Sequence, residues 1–152
     1  MKSLLLIILL YTSNYNIDID SLRELYLSAY TSEANCNNLG EKLNRIENNN
    51  TTLIKGYKGC FYFIKCKFIN NPIEKLIYFR KGKKLLETAI QEDSTSVELK
   101  FLRYSIQKNL PRFLSYHDNL EKDLNFVNQN IKSVNNKESQ LFIINSLKSI
   151  TK

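Results

Sequence analysis

The chain has 152 residues, which suits one globular domain, and its 43% apolar and 24% charged residues exclude an intrinsically disordered protein. Four glycines and two prolines are too few for a turn-rich β-sandwich and favour helices. The formal net charge of +7 leaves nucleic acid, anionic lipid and acidic proteins open as binding partners.

The N-terminus has the pattern of an export signal. Lys2 precedes an unbroken apolar run, Leu4–Leu10, far shorter than the roughly 20 residues of a membrane span. We expect a signal peptide over 1–14 and a single all-helical domain over 15–152. The protein would then be secreted or periplasmic, with no stable membrane insertion after leader removal, and not a lipoprotein because its first cysteine is Cys36. A cytoplasmic protein with a buried first element is the alternative.

Apolar spacing of three and four predicts about seven helices joined by short turns. The first helix covers 21–31 and opens with a Ser-x-x-Glu capping box at Ser21–Glu24. The second begins at Ser32 and ends in the polar tract 47–50, which we expect to be a loop.

Residues 51–69 allow two interpretations. As strands, the alternation over 64–68 follows a hairpin turn at Gly56–Gly59. The helical interpretation is favoured because its apolar stripe is longer and continues through both glycines. That stripe is Ile54, Tyr57, Phe61, Ile64 and Phe68.

The second half of the chain continues the helical pattern. A helix is predicted over 73–91, and a second capping box at Thr95–Glu98 opens the next one, which Asn109–Pro111 breaks. The predicted core positions of the helices from 73 onward are Leu76, Phe79, Leu86 and Ile90, then Phe101, Leu102, Ser105 and Ile106, then Leu120, Leu124, Val127, Ile131 and Val134, and lastly Leu141, Ile144 and Leu147.

Gly82, Leu86 and Ala89, followed by the turn 92–96, resemble the second helix and exit of a tetratricopeptide repeat (TPR). Two helices approach closely only where a side chain is short. Ser94 stands where that family has proline, and no second 34-residue copy is evident. The resemblance implies an array of antiparallel helix hairpins with TPR-like geometry.

A second resemblance covers more of the chain. The strings Gly-Tyr-Lys-Gly at 56–59, Asn-Pro-x-x-Lys-Leu at 71–76, Lys-Gly at 81–82 and the Phe-Leu-Arg-Tyr-Ser-Ile-Gln run from 101 are similar to an uncharacterised group of small bacterial proteins with a leader. That group implies no activity. It implies that Cys60 and Cys66 occupy positions otherwise filled by small residues.

Catalytic and metal-binding patterns are weak. His117 is the single histidine, and a zinc site would need it together with all three cysteines, which lack Cys-x-x-Cys spacing. Gly56–Gly59 spells the Gly-x-x-Gly of a nucleic-acid clamp, but that module needs flanking strands. We therefore expect no enzyme activity, cofactor or metal.

Charge is concentrated in residues 51–84, where nine basic residues face Glu74 alone and leave a local charge of +8. Residues 85–99 carry four acidic residues and no base, so internal neutralisation is the competing interpretation. We expect any partner to bind the basic face of 51–84. Its candidate residues are Lys55, Lys58, Lys81 and Lys84, around an exposed aromatic among Tyr62, Phe63 and Tyr78.

The favoured function is a non-catalytic module that binds a protein or peptide partner. A polyanion or nucleic-acid binder that uses the basic 51–84 face is the alternative, which export would disfavour. An enzyme of unknown type is the second alternative.

Overall fold

A computed structural model describes residues 18–46 and 51–150, which form seven α-helices and no strand. The helices are α1 (Ile19–Ala29), α2 (Glu33–Arg45), α3 (Thr52–Lys65), α4 (Pro72–Glu92), α5 (Val97–Asn109), α6 (Leu120–Asn130) and α7 (Lys137–Ile150). Short 3₁₀ turns follow α3, α5 and α6, at Cys66–Phe68, Arg112–Leu114 and Ile131–Ser133. The predicted all-α fold is confirmed, and the strand interpretation of 51–69 is excluded.

The predicted signal peptide over 1–14 and the loop at 47–50 lie outside the described residues. Among the helices that are described, none combines the length and the apolar character needed to cross a bilayer.

The first helix begins earlier than predicted. The Asp18 carboxylate accepts a hydrogen bond from the Ser21 N–H at 3.2 Å, so α1 begins at Ile19. The predicted capping box at Ser21–Glu24 is wrong, because Asp18 already caps the helix.

The predicted capping box at Thr95–Glu98 is also wrong. Ser96 caps α5 by accepting from the Leu99 N–H at 3.3 Å. Glu98 thereby falls at the second helical position rather than the third, and its side chain is buried in the protein.

The core is built around α5, in which every residue from 101 to 107 is buried. α5 packs against α3, α4, α6 and α7. The Phe142 ring of α7 contacts Tyr26 of α1 and Phe101 of α5 edge to face, with ring centroids 6.2 and 5.4 Å apart. Aromatic contacts therefore join the first, fifth and seventh helices.

The buried face of α7 differs from the predicted one. Ser139, Phe142, Ile143 and Ser146 are buried, whereas Leu141, predicted to be in the core, is exposed. Residues 141–144 are all apolar, so the sequence allowed more than one helical phase. Contacts of Ser139 and Phe142 with α5 select the observed phase.

Close packing of α3 on α4 depends on two glycines. A Cβ atom on Gly59 would lie 2.8 Å from the Leu86 backbone nitrogen, and one on Gly82 would lie 2.9 Å from the Gly59 carbonyl oxygen. Contacts pair Lys55 with Glu92 and Gly59 with Leu86, so these two helices run antiparallel. The full array of antiparallel hairpins with TPR-like geometry stays a prediction.

Gln107 offers a test of the packing around α5. Its side chain is fully buried, and neither its amide nitrogen nor its amide oxygen has a hydrogen-bond partner among the described residues. A buried unsatisfied polar group costs roughly 1–3 kcal/mol. We expect Gln107→Met, of similar size and shape, to raise the free energy of unfolding in urea by about 1–2 kcal/mol.

The matched control for Gln107→Met is Gln91→Met on α4, because Gln91 is exposed and its amide is already solvated. That control should change the free energy of unfolding by less than about 0.5 kcal/mol. A Gln107→Met variant less stable than the wild type would show that the amide is satisfied.

Candidate functional site

The structure brings together three of the residues predicted to bind a partner. The rings of Tyr62 on α3 and Tyr78 on α4 pack edge to face with centroids 5.5 Å apart. The Lys81 ammonium lies 4.4 Å from the Tyr62 ring centroid, within cation–π distance. The three side chains therefore form one cluster on the surface of the α3–α4 pair.

The other predicted lysines have different surroundings from Lys81. Lys55 forms an ion pair with Glu92, as internal neutralisation predicted. Lys58 is half-buried and Lys84 is exposed. The basic segment is thus partly neutralised within the protein.

Phe63 is buried, so of the three aromatic candidates it is not the exposed one. Its ring stacks on Tyr116 with centroids 5.7 Å apart and meets Phe79 edge to face at 5.4 Å. Because α3 and α4 approach closely at Gly82, the Phe63 ring is held between the helices.

A large apolar groove lies on the Phe63 side of the α3–α4 pair. It has a volume of about 790 Å³ and is formed by the end of α3, the first turns of α4, the end of α5 and the 3₁₀ turn after it. Its apolar lining consists of Phe63, Ile64, Pro72, Leu76, Phe79, Ile106, Leu110, Pro111, Phe113 and Leu114.

Leu76 belongs to this groove rather than to the core, which corrects its predicted position. α4 has 21 residues and its partner α3 has 14, so the first turns of α4 reach beyond the packed helices. Leu76 is 43% exposed and Phe79 is half-buried, whereas Leu86 and Ile90 further along α4 are buried.

Phe113 is the most exposed large apolar side chain of the groove, at 82%. Pro111 ends α5 and starts the 3₁₀ turn Arg112–Leu114. The turn closes at Ser115, which adopts a left-handed conformation with φ of 48° and donates its N–H to the Arg112 carbonyl at 3.2 Å. This local geometry presents the Phe113 ring to solvent at the groove.

The charged residues that line the groove in the described part of the chain are basic. Lys67 and Lys75 line it, and no aspartate or glutamate of that part does. The Lys67 ammonium donates a hydrogen bond to the Tyr30 carbonyl at 2.8 Å, which fixes its position at the groove. Apolar surface and positive charge therefore meet in one concavity.

Cys66 provides a thiol in the groove. Its Sγ lies 3.3 Å from the Tyr62 carbonyl oxygen and 3.4 Å from that of Lys75, and burial raises the pKa of its thiol. Cys36 and Cys60 are both buried, and burial raises the pKa of Cys36 to about 11. All three cysteines are free thiols. Cys66 is only half-buried, so it is the thiol most accessible to reagents.

A second, smaller pocket is lined mainly by polar residues and includes a buried ion pair. Glu98 accepts from the Nε and Nη2 of Arg23 at 2.9 and 2.7 Å, from the Tyr57 hydroxyl at 2.6 Å and from the Ser139 hydroxyl at 2.6 Å. Asp20 pairs with the remaining Arg23 nitrogen at 2.5 Å. The carboxylate of Glu98 is fully used by internal donors, so the pair has a structural role.

A similar network joins α4, α5 and α6. Arg103 donates to both oxygens of Asp123, at 2.6 and 2.8 Å, and to Glu87 at 2.7 Å, while Glu87 accepts from the Tyr116 hydroxyl at 2.5 Å. Asp123 is fully buried although the predicted stripe of α6 contained only its apolar neighbours. The sequence signal for this network was Asp123, a charged residue three positions after Leu120 and therefore on the apolar face of the helix.

The candidate metal-binding residues do not assemble in the described part of the chain. Within 18–46 and 51–150, no three of the His, Cys, Asp and Glu side chains lie close enough to hold a metal ion. His117 uses its Nε2 locally, 3.1 Å from the Leu110 carbonyl oxygen.

Compared with known proteins, the chain matches no protein-family model, no curated protein and no solved structure. The candidate site is therefore defined by its geometry. The sequence did not single out Phe113 as a site residue; its signal was a large apolar side chain directly after a helix-ending proline.

Proposed function

We propose that this protein is a non-catalytic binding module that holds an apolar segment of a protein or peptide partner in the groove between α3, α4 and the end of α5. The observation that carries the proposal is the apolar groove of about 790 Å³ with Phe113 82% exposed at it. Contiguous exposed apolar surface of this kind marks interaction sites.

The apolar lining of the groove supports recognition of a helical peptide. Helix-in-groove recognition places apolar anchors at spacings of three and four into a hydrophobic channel. Burying the largely exposed Phe113 side chain against a partner contributes about 1.5–3 kcal/mol, and Leu76, which is only 43% exposed, contributes less. Aromatic residues in such positions commonly dominate the binding energy.

We also propose export to a secreted or periplasmic location. Lys2 and the Leu4–Leu10 run support it. Full-length protein confined to the cytosol would refute it.

The groove is tested by selecting peptides from a phage-displayed random library against the wild-type protein, after depletion on a Leu76→Glu/Phe113→Glu variant. We expect enriched peptides with apolar residues at helical spacing. They should bind the wild type at least tenfold more tightly than either single variant and protect Cys66 from alkylation by N-ethylmaleimide.

Leu27→Glu is the matched control, since Leu27 on α1 is 50% exposed and lies outside the groove. It should leave peptide affinity unchanged. Peptides that bind the groove variants as well as the wild type would overturn the proposal. Affinity that falls steeply with salt and survives both groove substitutions would favour the polyanion alternative on the basic 51–84 face.

A further inference from the structure

We infer that the partner segment is acidic: an amphipathic peptide whose apolar side chains enter the groove and whose carboxylates pair with Lys67 and Lys75. The inference rests on the proposed function and names the class of partner for the same site.

Charge complementarity at the groove is the main evidence. Lys67 and Lys75 are both exposed and both line the groove, and within 18–46 and 51–150 no carboxylate lines it to neutralise them. Arg112 adds a third exposed positive charge directly before Phe113. A peptide with basic flanks would place like charges together, which an interface disfavours.

The two lysines lie on different elements and are positioned to contact one peptide. Lys67 is in the 3₁₀ turn after α3 and is held by the Tyr30 carbonyl at 2.8 Å, so its ammonium loses little freedom on binding. Lys75 is in the first turn of α4. The Cys66 thiol contacts the backbone carbonyl oxygen of Lys75. Cys66 precedes Lys67 in the chain and contacts the Lys75 backbone, so both lysines line the groove beside the same residue.

A second copy of this chain fits the groove poorly. Pairing two molecules across their grooves would bring together two sets of Lys67 and Lys75, and the described lining of the groove holds no carboxylate that could pair with them. Like-charge repulsion across such an interface selects an acidic partner instead.

A flat anionic membrane surface also fits less well than a peptide. Two of the lining rings lie below the protein surface: Phe63 is buried and Phe79 is half-buried. Side chains of a peptide can enter such a concavity, whereas a flat bilayer surface cannot fill it. Binding to anionic vesicles distinguishes a membrane surface from a peptide partner.

The experiment compares a groove-dependent peptide with a version in which every Asp and Glu is replaced by Lys. Dissociation constants are measured by fluorescence anisotropy for the wild type, Lys75→Glu and Lys67→Glu/Lys75→Glu. We expect the acidic peptide to bind the wild type about tenfold more tightly, and the double variant to reverse that order. The Lys75 side chain forms no hydrogen bond with the residues that the structure describes, so Lys75→Glu should reduce the preference without lowering the melting temperature.

Lys122→Glu/Lys148→Glu is the matched control, because it makes the same change in net charge at exposed lysines of α6 and α7 that do not line the groove. It should keep the preference for the acidic peptide. Equal binding of the two peptides, selected peptides without an excess of Asp and Glu, or loss of the preference in the control variant would each overturn the inference. Binding to phosphatidylserine vesicles that needs Lys75 and Phe113 and is displaced by the peptide would overturn it in favour of a membrane surface.

Failure of this inference differs from failure of the proposed function. If the groove binds peptides without regard to charge, selected peptides still depend on Leu76 and Phe113. If the proposed function fails, no peptide shows that dependence.

Discussion

Replacing Glu98 with leucine is expected to lower the free energy of unfolding by about 3–5 kcal/mol, the loss typical of breaking a buried ion pair from one side. The change leaves the Arg23 guanidinium buried with Asp20 as its remaining carboxylate partner. It also removes the acceptor for the hydroxyls of Tyr57 and Ser139. Urea unfolding followed by circular dichroism measures the effect.

The size of this loss follows from how many helices meet at one carboxylate. Glu98 on α5 accepts from Arg23 on α1, Tyr57 on α3 and Ser139 on α7. A buried donor that loses its acceptor bears its full desolvation cost, whereas an exposed donor regains water. The loss should therefore exceed that from any exposed ion pair in the described helices.

Two controls identify the cause. Arg23→Met/Glu98→Leu removes both charges and should recover much of the loss, since replacing both partners of a buried pair is often nearly neutral. Glu92→Gln breaks the exposed pair with Lys55 and should cost less than about 1 kcal/mol. A double variant no more stable than Glu98→Leu would contradict the ion-pair explanation.

Local signals predicted much of the fold. The spacing of Ile54, Tyr57 and Ile64 indicated a helix despite two glycines, and these three residues are buried in α3. Gly82 was predicted to lie where two helices touch, and it contacts Gly59. Both signals are local because periodicity and residue size depend on neighbours along the chain.

The buried charges and the groove could not be predicted in the same way. Glu98 was assigned to a helix cap because its spacing from Thr95 fits one, and its true partner Arg23 lies 75 residues away. Leu76 was assigned to the core because its position on α4 fits the apolar stripe. Its exposure depends on how far α4 extends beyond α3, which is a property of tertiary packing.

The second ion-pair network connects the core to the candidate site. Glu87 accepts from the Tyr116 hydroxyl and pairs with Arg103, which holds the buried Asp123. Tyr116 in turn stacks on Phe63, which lines the groove. The position of this lining ring is therefore coupled to charges buried between α4, α5 and α6.

Gly59→Ala is expected to destabilise the protein by about 1–3 kcal/mol, even though alanine favours a helix over glycine by about 1 kcal/mol. The new Cβ would lie 2.8 Å from the Leu86 nitrogen and 3.0 Å from the Gly82 carbonyl oxygen. These are backbone atoms, so α3 and α4 must move apart as units. The change in the midpoint of urea unfolding measures the cost.

Gly40→Ala is the matched control on α2, where the new Cβ would meet ring atoms of Phe61 at 2.7 and 2.8 Å. That ring ends a half-buried side chain that can rotate away, so the net change should stay within about 1 kcal/mol of the wild type. A Gly59→Ala protein as stable as Gly40→Ala would show that α3 and α4 can accommodate the extra methyl group.

Gly82→Ala extends the comparison to the site, because its Cβ would also lie 3.1 Å from the Phe63 ring. If helix contact at the glycines positions the groove lining, Gly82→Ala should weaken peptide binding in addition to lowering stability.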